Sequence, residues 1–133
     1  MRRSKVQHRI CNVYQLAPET LGMHDVVFCG SLLLHLHNPL QALINIRSVT
    51  RQMAVIETAA IHPDIERQWP DAPLASFGVR HVETEPGENV TYWQFSTAAL
   101  RDMLVYAGFT RVESQPPFEL RPGLPVTASV AFP

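Results

Sequence analysis

Apolar and polar positions along this chain change period several times, and each change marks an element. Residues 25–29 (DVVFC) are almost continuously apolar, the pattern of a central parallel strand covered on both faces. Gly30 and Ser31 then turn the backbone away. Asn38-Pro39 is a helix-start signal, because an Asn side chain accepts from free N–H groups and Pro fits the first helical position. Beyond it Leu40, Leu43, Ile44, Ile46 and Val49 recur at helical spacing, with Gln41, Asn45, Arg47 and Ser48 largely opposite. Residues 53–57 (MAVIE) form a second continuous apolar run. Two buried strands joined by a helix predict a parallel pair with a right-handed crossover.

The flanks are less regular. Residues 9–16 (RICNVYQL) are short and β-prone and read as a strand. A helical turn is expected from Pro18, closed by Gly22. Residues 62–87, with Pro63, Pro70, Pro73 and Pro86, show no sustained period and predict a long lid or binding loop. Ser96 is a good N-cap for a helix carrying Ala99, Leu100, Met103, Leu104 and Ala107, with Gly108 as its stop. Residues 110–114 and 126–132 read as strands. The prolines between them make a turn-rich connection, so this final pair is expected to be antiparallel.

At 133 residues the chain forms one domain, large enough for a single core. A net charge of -1 gives no electrostatic argument for nucleic acid or an anionic membrane surface. The basic residues Arg2, Arg3, Lys5, His8 and Arg9 are a short terminal run, read as solvated. No apolar stretch approaches the ~18 residues of a membrane span, and no signal peptide is evident, so the cytoplasm is the default expectation. Cys11 and Cys29 both lie in apolar runs and are expected to be buried free thiols; neither CxxC spacing nor a third thiol suggests a disulfide or metal pair. His35, His37, His62 and His81 complete no recognisable metal-ligand spacing, and no metal is expected.

The segment HDVVFCGSLLLHLHNPLQALINIRSVTRQMAVIE resembles the fourth strand, following helix and fifth strand of class I S-adenosylmethionine-dependent methyltransferases. YWQFSTAALRDMLVYAGFTRVE resembles their late helix and sixth strand, including the Ala-Gly-Phe ending at residues 107–109. The resemblance spans roughly residues 9–130. It implies an α/β, incomplete Rossmann-like methyltransferase sheet, with parallel strands and a C-terminal antiparallel hairpin. One partial domain is expected, with residues 9–60 on the cofactor side, 61–95 as substrate or lid loop, and 96–132 as helix and terminal hairpin.

The family's glycine-rich cofactor turn and its ribose-binding acidic residue have no counterpart here; six glycines are present, and none forms a GxGxG ahead of a helix. The resemblance therefore implies the C-terminal part of the family's fold, beginning just before its third strand. A micromolar site is worth about 8 kcal/mol. Losing the ribose carboxylate and two or three further contacts removes on the order of 4–9 kcal/mol, enough to abolish useful binding by the chain alone.

S-adenosylmethionine is nonetheless the cofactor the resemblance implies, with Gly30, Ser31 and Leu32 flanking it at a strand's carboxyl edge. Asn12 aligns with a position that often contacts the adenine amino group; a plain strand-end polar residue is the other reading. His35 sits at the family's Leu-x-His position and reads as a substrate-orienting residue or base, or as a structural histidine bonded to backbone. Glu57, ending its strand, reads as a substrate-side residue. Trp69, Tyr92 and Trp93 read as pocket walls or as anchors for the loop. The expected function is methyl transfer to an unidentified acceptor once the missing part is supplied. The alternative is an inactive methyltransferase remnant acting as a dimerisation or regulatory module. An exposed sheet edge is the expected contact for a homodimer or a complementing chain.

Overall fold

Asn38 and Pro39 start their helix as their chemistry dictates. The Asn38 side chain accepts from Gln41 N, Pro39 occupies the first turn, and the helix α2 runs over Pro39–Val49. The computed structural model describes residues 5–84 and 87–133. Before α2 come the short helix α1 (Pro18–Leu21) and strand β1 (His24–Gly30). After it come β2 (Thr50–Ala59), α3 (Pro63–Gln68), β3 (Ala75–Thr84), β4 (Gly87–Phe95), α4 (Thr97–Tyr106), β5 (Arg111–Arg121) and β6 (Leu124–Phe132), with two 3-10 turns at Val13–Gln15 and Leu33–His35.

The main sheet has the order β1-β2-β6-β5. β1 and β2 are parallel, as the intervening helix requires, and β5 and β6 pair antiparallel, as expected. β6 also runs antiparallel to β2. α2 and α4 pack on one face of this sheet. Ala42, Leu43 and Ile46 of α2 and Ala99, Leu100 and Leu104 of α4 bury Cys29, Ala54, Ile56 and Ala131 beneath them. Inside α2, Ala42 rather than Leu40 is fully buried.

Five expectations are corrected. Residues 9–16 form no strand. They run extended into the Val13–Gln15 turn, where the Asn12 side-chain Oδ1 accepts from Tyr14 N at 2.9 Å. An Asn that bonds backbone two residues on offers the chain a turn in place of a ladder, and Asn45 Nδ2 donates to the Val13 carbonyl, satisfying it from α2. Cys11 is consequently exposed, whereas Cys29 is buried. Among the described residues β1 pairs with β2 alone and so stands at the edge of the sheet rather than in its middle; Val26 and Phe28 are 53% and 71% exposed.

The expected loop at 61–95 holds α3 and a separate two-stranded sheet, β3–β4. Its alternation is masked by a register shift between Phe77 and Arg80, and Pro86 lies outside the described residues, as do Arg2 and Arg3. At the far edge β5 runs through Pro116 and Pro117, which were expected in a turn. Their missing N–H groups fall at a register shift between Gln115 and Phe118, where an edge strand tolerates them.

Candidate functional site

The carboxyl ends of the parallel pair bring Gly30 beside Glu57. Ser31 follows with a φ of 49°, a left-handed conformation that costs energy for a residue with a side chain. Glu57 holds it there. Ser31 N donates to the Glu57 backbone carbonyl at 3.1 Å and to Glu57 Oε2 at 3.0 Å, and Ser31 Oγ donates to the same Oε2 at 3.0 Å. Glu57 Oε1 is buried without a hydrogen-bond partner. Burial pushes the neighbouring Cys29 thiol up to about 11, with the Glu57 charge as a second cause.

Gly30 lets the exposed Phe28 ring lie close over the backbone. A Cβ there would lie 2.7 Å from the Phe28 ring and 3.4 Å from Glu57 Oε2. Beside these residues an apolar groove of about 390 Å³ is lined by Val13, Leu16, Val27, Phe28, Cys29, Gly30, Leu32 and Ile46. Sheets of this kind bind ligands at the carboxyl ends of their parallel strands.

The loop after Ser31 is strapped by the β3–β4 hairpin. His35 Nδ1 lies 2.7 Å from the Val90 carbonyl, which only accepts, so the Nδ1 proton is the one it spends. Trp93 Nε1 donates to the Leu36 carbonyl at 3.0 Å, and His37 Nε2 is 3.2 Å from the Tyr92 hydroxyl. Tyr92 in turn stacks on Phe77, and Phe77 meets Trp93 edge-on.

Gly30, Ser31, Leu32 and Glu57 are thus brought together. His35 stands one turn further along, tied to β4. Asn12 is engaged in its own turn, although Val13 next to it lines the groove. Trp69 is 55% exposed, while Tyr92 and Trp93 hold the histidine loop. Among the described residues no group of His, Cys, Asp and Glu is arranged to hold a metal ion, and no helix is long and apolar enough to cross a membrane.

Sequence reasoning missed the hairpin as the support of His35 and His37. Its signal was the apolar-aromatic spacing of Ala75 and Phe77 against Trp93 and Phe95, which pair across the strands. It also missed Glu66, a buried carboxylate whose Oε1 accepts from Thr97 N at 3.0 Å and caps α4 alongside Ser96. No local signal marks a cap supplied from another helix.

No protein-family model and no curated protein matches the chain. Solved structures do. The N-terminal domain of EvdMO1 with SAH bound is 26% identical, with a TM-score of 0.59 over 93% of this chain and 52% of that one. The 1,6-didemethyltoxoflavin-N1-methyltransferase of Burkholderia thailandensis, with bound 1,6-didemethyltoxoflavin and S-adenosylhomocysteine, is 20% identical, with a TM-score of 0.60 over 92% of this chain and 48% of that one. The magnesium protoporphyrin IX methyltransferase of Synechocystis PCC 6803, with bound SAH, is 16% identical, with a TM-score of 0.55 over 92% and 48%. The chain spans about half the length of these structures. Over most of its length it has the class I S-adenosylmethionine-dependent methyltransferase-like fold.

Proposed function

We propose that this chain serves S-adenosylmethionine-dependent methyl transfer by forming one wall of the cofactor cleft. The observation that carries the reading is the 26% identical match, over 93% of the chain, to a domain solved with SAH bound. The residues present fit the cofactor on one side only. The groove offers an apolar wall, and Gly30, Ser31 and Leu32 would hold the ligand at the strand edge. The anchoring glycine turn and ribose carboxylate are not among the motifs of this sequence. Polypeptide beside β1 would have to supply the opposite wall.

When bound, the cofactor supplies a sulfonium-borne methyl group to a nucleophile, and the carbon–sulfur pair leaves with S-adenosylhomocysteine. The chain's own part is positioning. Glu57 fixes Ser31 and so the entry to the 33–38 loop. His35, with Nδ1 spent on Val90, has Nε2 left as the atom to take a proton lost by the acceptor.

The test is an amide-resonance titration of the 133-residue chain with S-adenosylhomocysteine to about 10 mM, since a one-walled site is expected near millimolar, or about 4 kcal/mol. Shifts confined to residues 29–32 and Glu57 support the reading. Unmoved resonances there at the highest concentration overturn it. The exposed apolar side chains of β1 favour the second reading, an association module without catalysis.

A further inference from the structure

We propose that the hollow between α3, the start of α4 and the proline bulge of β5 binds a small protonated alkylamine, with the Glu66 carboxylate as its anchor. Glu66 is 9% exposed. Its Oε1 accepts from Thr97 N, while Oε2 is buried with no hydrogen-bond partner among the described residues. Capping α4 needs only one of these oxygens, and Ser96 Oγ already serves Ala99 N in the same turn. A carboxylate oxygen buried without a partner is costly, so the second one calls for a donor.

A cavity opens at that side chain. One lobe of about 330 Å³ runs from Glu66 and Thr97 to Ser114 and Gln115 on β5. A second of about 250 Å³ adjoins it at Glu66, Arg67 and Pro117 and reaches Pro63. The ladder itself shapes the hollow. Between the pairs Gln115↔Ala128 and Phe118↔Val126, β5 advances three positions and β6 two, which sets Pro116 and Pro117 at the wall. Bulges of this kind recur beside active sites, and proline, with its φ fixed, makes a wall that needs no ordering on binding. β5 lies at the sheet edge opposite β1, and the cavity shares no lining residue with the groove at Gly30.

The chemistry of the lining selects the ligand. A carboxylate oxygen only accepts, so the occupant must donate, and the negative charge turns an anion away. The first-turn N–H groups of Thr97 and Ala99 are already engaged and do not serve an anion either. Internal cations are scarce: Lys5 is the chain's only lysine, and the neighbouring Arg67 is paired with Asp64. An ammonium group carries three donors. Oε2 takes one, and the hydroxyls of Thr97 and Ser114, each bonded to one other hydroxyl, keep lone pairs for the rest. Pro63, Pro70, Pro116 and Pro117 then contact an alkyl stem. Oε2 is closed off from solvent, so the entering amine displaces a side chain. Arg67, common to both lobes, is the one that gives way, because its pair with Asp64 is exposed and weak. Further in, Thr127 meets the Thr97 hydroxyl and stands opposite Thr58, whose Oγ1 is also buried without a partner among the described residues.

The inference is independent of the methyl-transfer reading, and its test involves no cofactor. Amide resonances of the 133-residue chain are followed while n-butylammonium chloride is added to about 50 mM, a range suited to a millimolar fragment. Saturable shifts confined to α3, Thr97, Ser114 and Gln115 are expected, with 1-butanol and sodium butyrate giving none at the same concentration. Glu66→Gln keeps an acceptor for Thr97 N, and with it the cap. That variant is expected to bind the amine at least about tenfold more weakly, with an unchanged circular dichroism spectrum. A parent chain without saturable shifts overturns the proposal and leaves Glu66 as a helix cap alone. An equal response to butanol or butyrate, or undiminished binding by Glu66→Gln, overturns it as well. Should Glu66→Gln fail to fold, the contrast of amine with alcohol and carboxylate in the parent decides.

Discussion

Replacing Ser96 by Ala removes the hydroxyl that joins three parts of the chain. Its Oγ accepts from Ala99 N at 3.1 Å, capping α4, and from Leu74 N at 2.9 Å, and it donates to the Ala72 carbonyl at 2.8 Å. One donor and two acceptor sites are all a hydroxyl has, so every one is engaged. The residue is fully buried, and water cannot replace these bonds without opening the structure. Losing the cap costs about 1 kcal/mol. The Leu74 N–H and Ala72 C=O, on partly buried residues, keep a bond to each other at 2.8 Å, so the loss of the hydroxyl from both adds about 1 kcal/mol more. The expected loss is about 2 kcal/mol, which for a domain of this size lowers the melting temperature by roughly 7 °C. Urea unfolding followed by circular dichroism measures it, with Ser114→Ala as the comparison, since that hydroxyl makes a single bond to Ser129 on partly buried ground. A Ser96→Ala loss below about 1 kcal/mol, no larger than that of a simple N-cap, would refute the three-way junction.

Three further outcomes concern the thiols and the strand-end carboxylate. Exposed Cys11 should react promptly with a thiol reagent at pH 8 while Cys29, pushed up to about 11, stays inert in the folded chain; two fast thiols would contradict the burial. The same shift makes folding less favourable as pH rises from 9.0 toward about 11, because the unfolded thiol ionises first, and Cys29→Val should flatten that slope in urea titrations. Glu57→Ala should destabilise the chain by about 2 kcal/mol by releasing two charge-assisted bonds from Ser31. Glu57→Gln, which keeps an acceptor, should lose less than half as much, and equal losses would show that the Ser31 clamp is not what Glu57 contributes.

How much of this was legible in the sequence depended on how local each cause is. α2 and α4 could be read because Asn38-Pro39 and Ser96 act on backbone groups within one turn. The parallel β1–β2 pair could be read because a helix between two apolar runs leaves no other geometry. The hairpin of β3 and β4 could not, since its register shift at Gly78 and Val79 breaks the alternation that would have shown it. Residues 9–16 misled because β-propensity reports fit to a neighbouring strand, and here Asn12 and Asn45 satisfy the backbone instead. In the site, Gly30, Ser31 and Glu57 were legible from their place at strand ends. The bond from His35 to Val90 was not, because the two are 55 positions apart.

The error over β1 bears on function. A run such as DVVFC predicts two covered faces, and the fold covers one. Val27 and Cys29 pack under α2 and α4, while Val26 and Phe28 face outward. Burying the exposed parts of those two side chains would contribute about 1–2 kcal/mol each, which a chain gains only from a neighbour. A neighbour beside β1 would cover part of them, and Gly30 and Phe28 line the groove that opens at the same edge. A polypeptide paired with β1 would then also form a second wall of that edge. Such pairing would couple association and ligand binding through one strand, so Val26→Lys/Phe28→Lys should alter the S-adenosylhomocysteine response of Ser31 if the pairing polypeptide shapes the cleft. An unchanged response in a variant that has lost its partner would separate the two roles, and the cofactor edge would then be the property of β1, β2 and Glu57 alone.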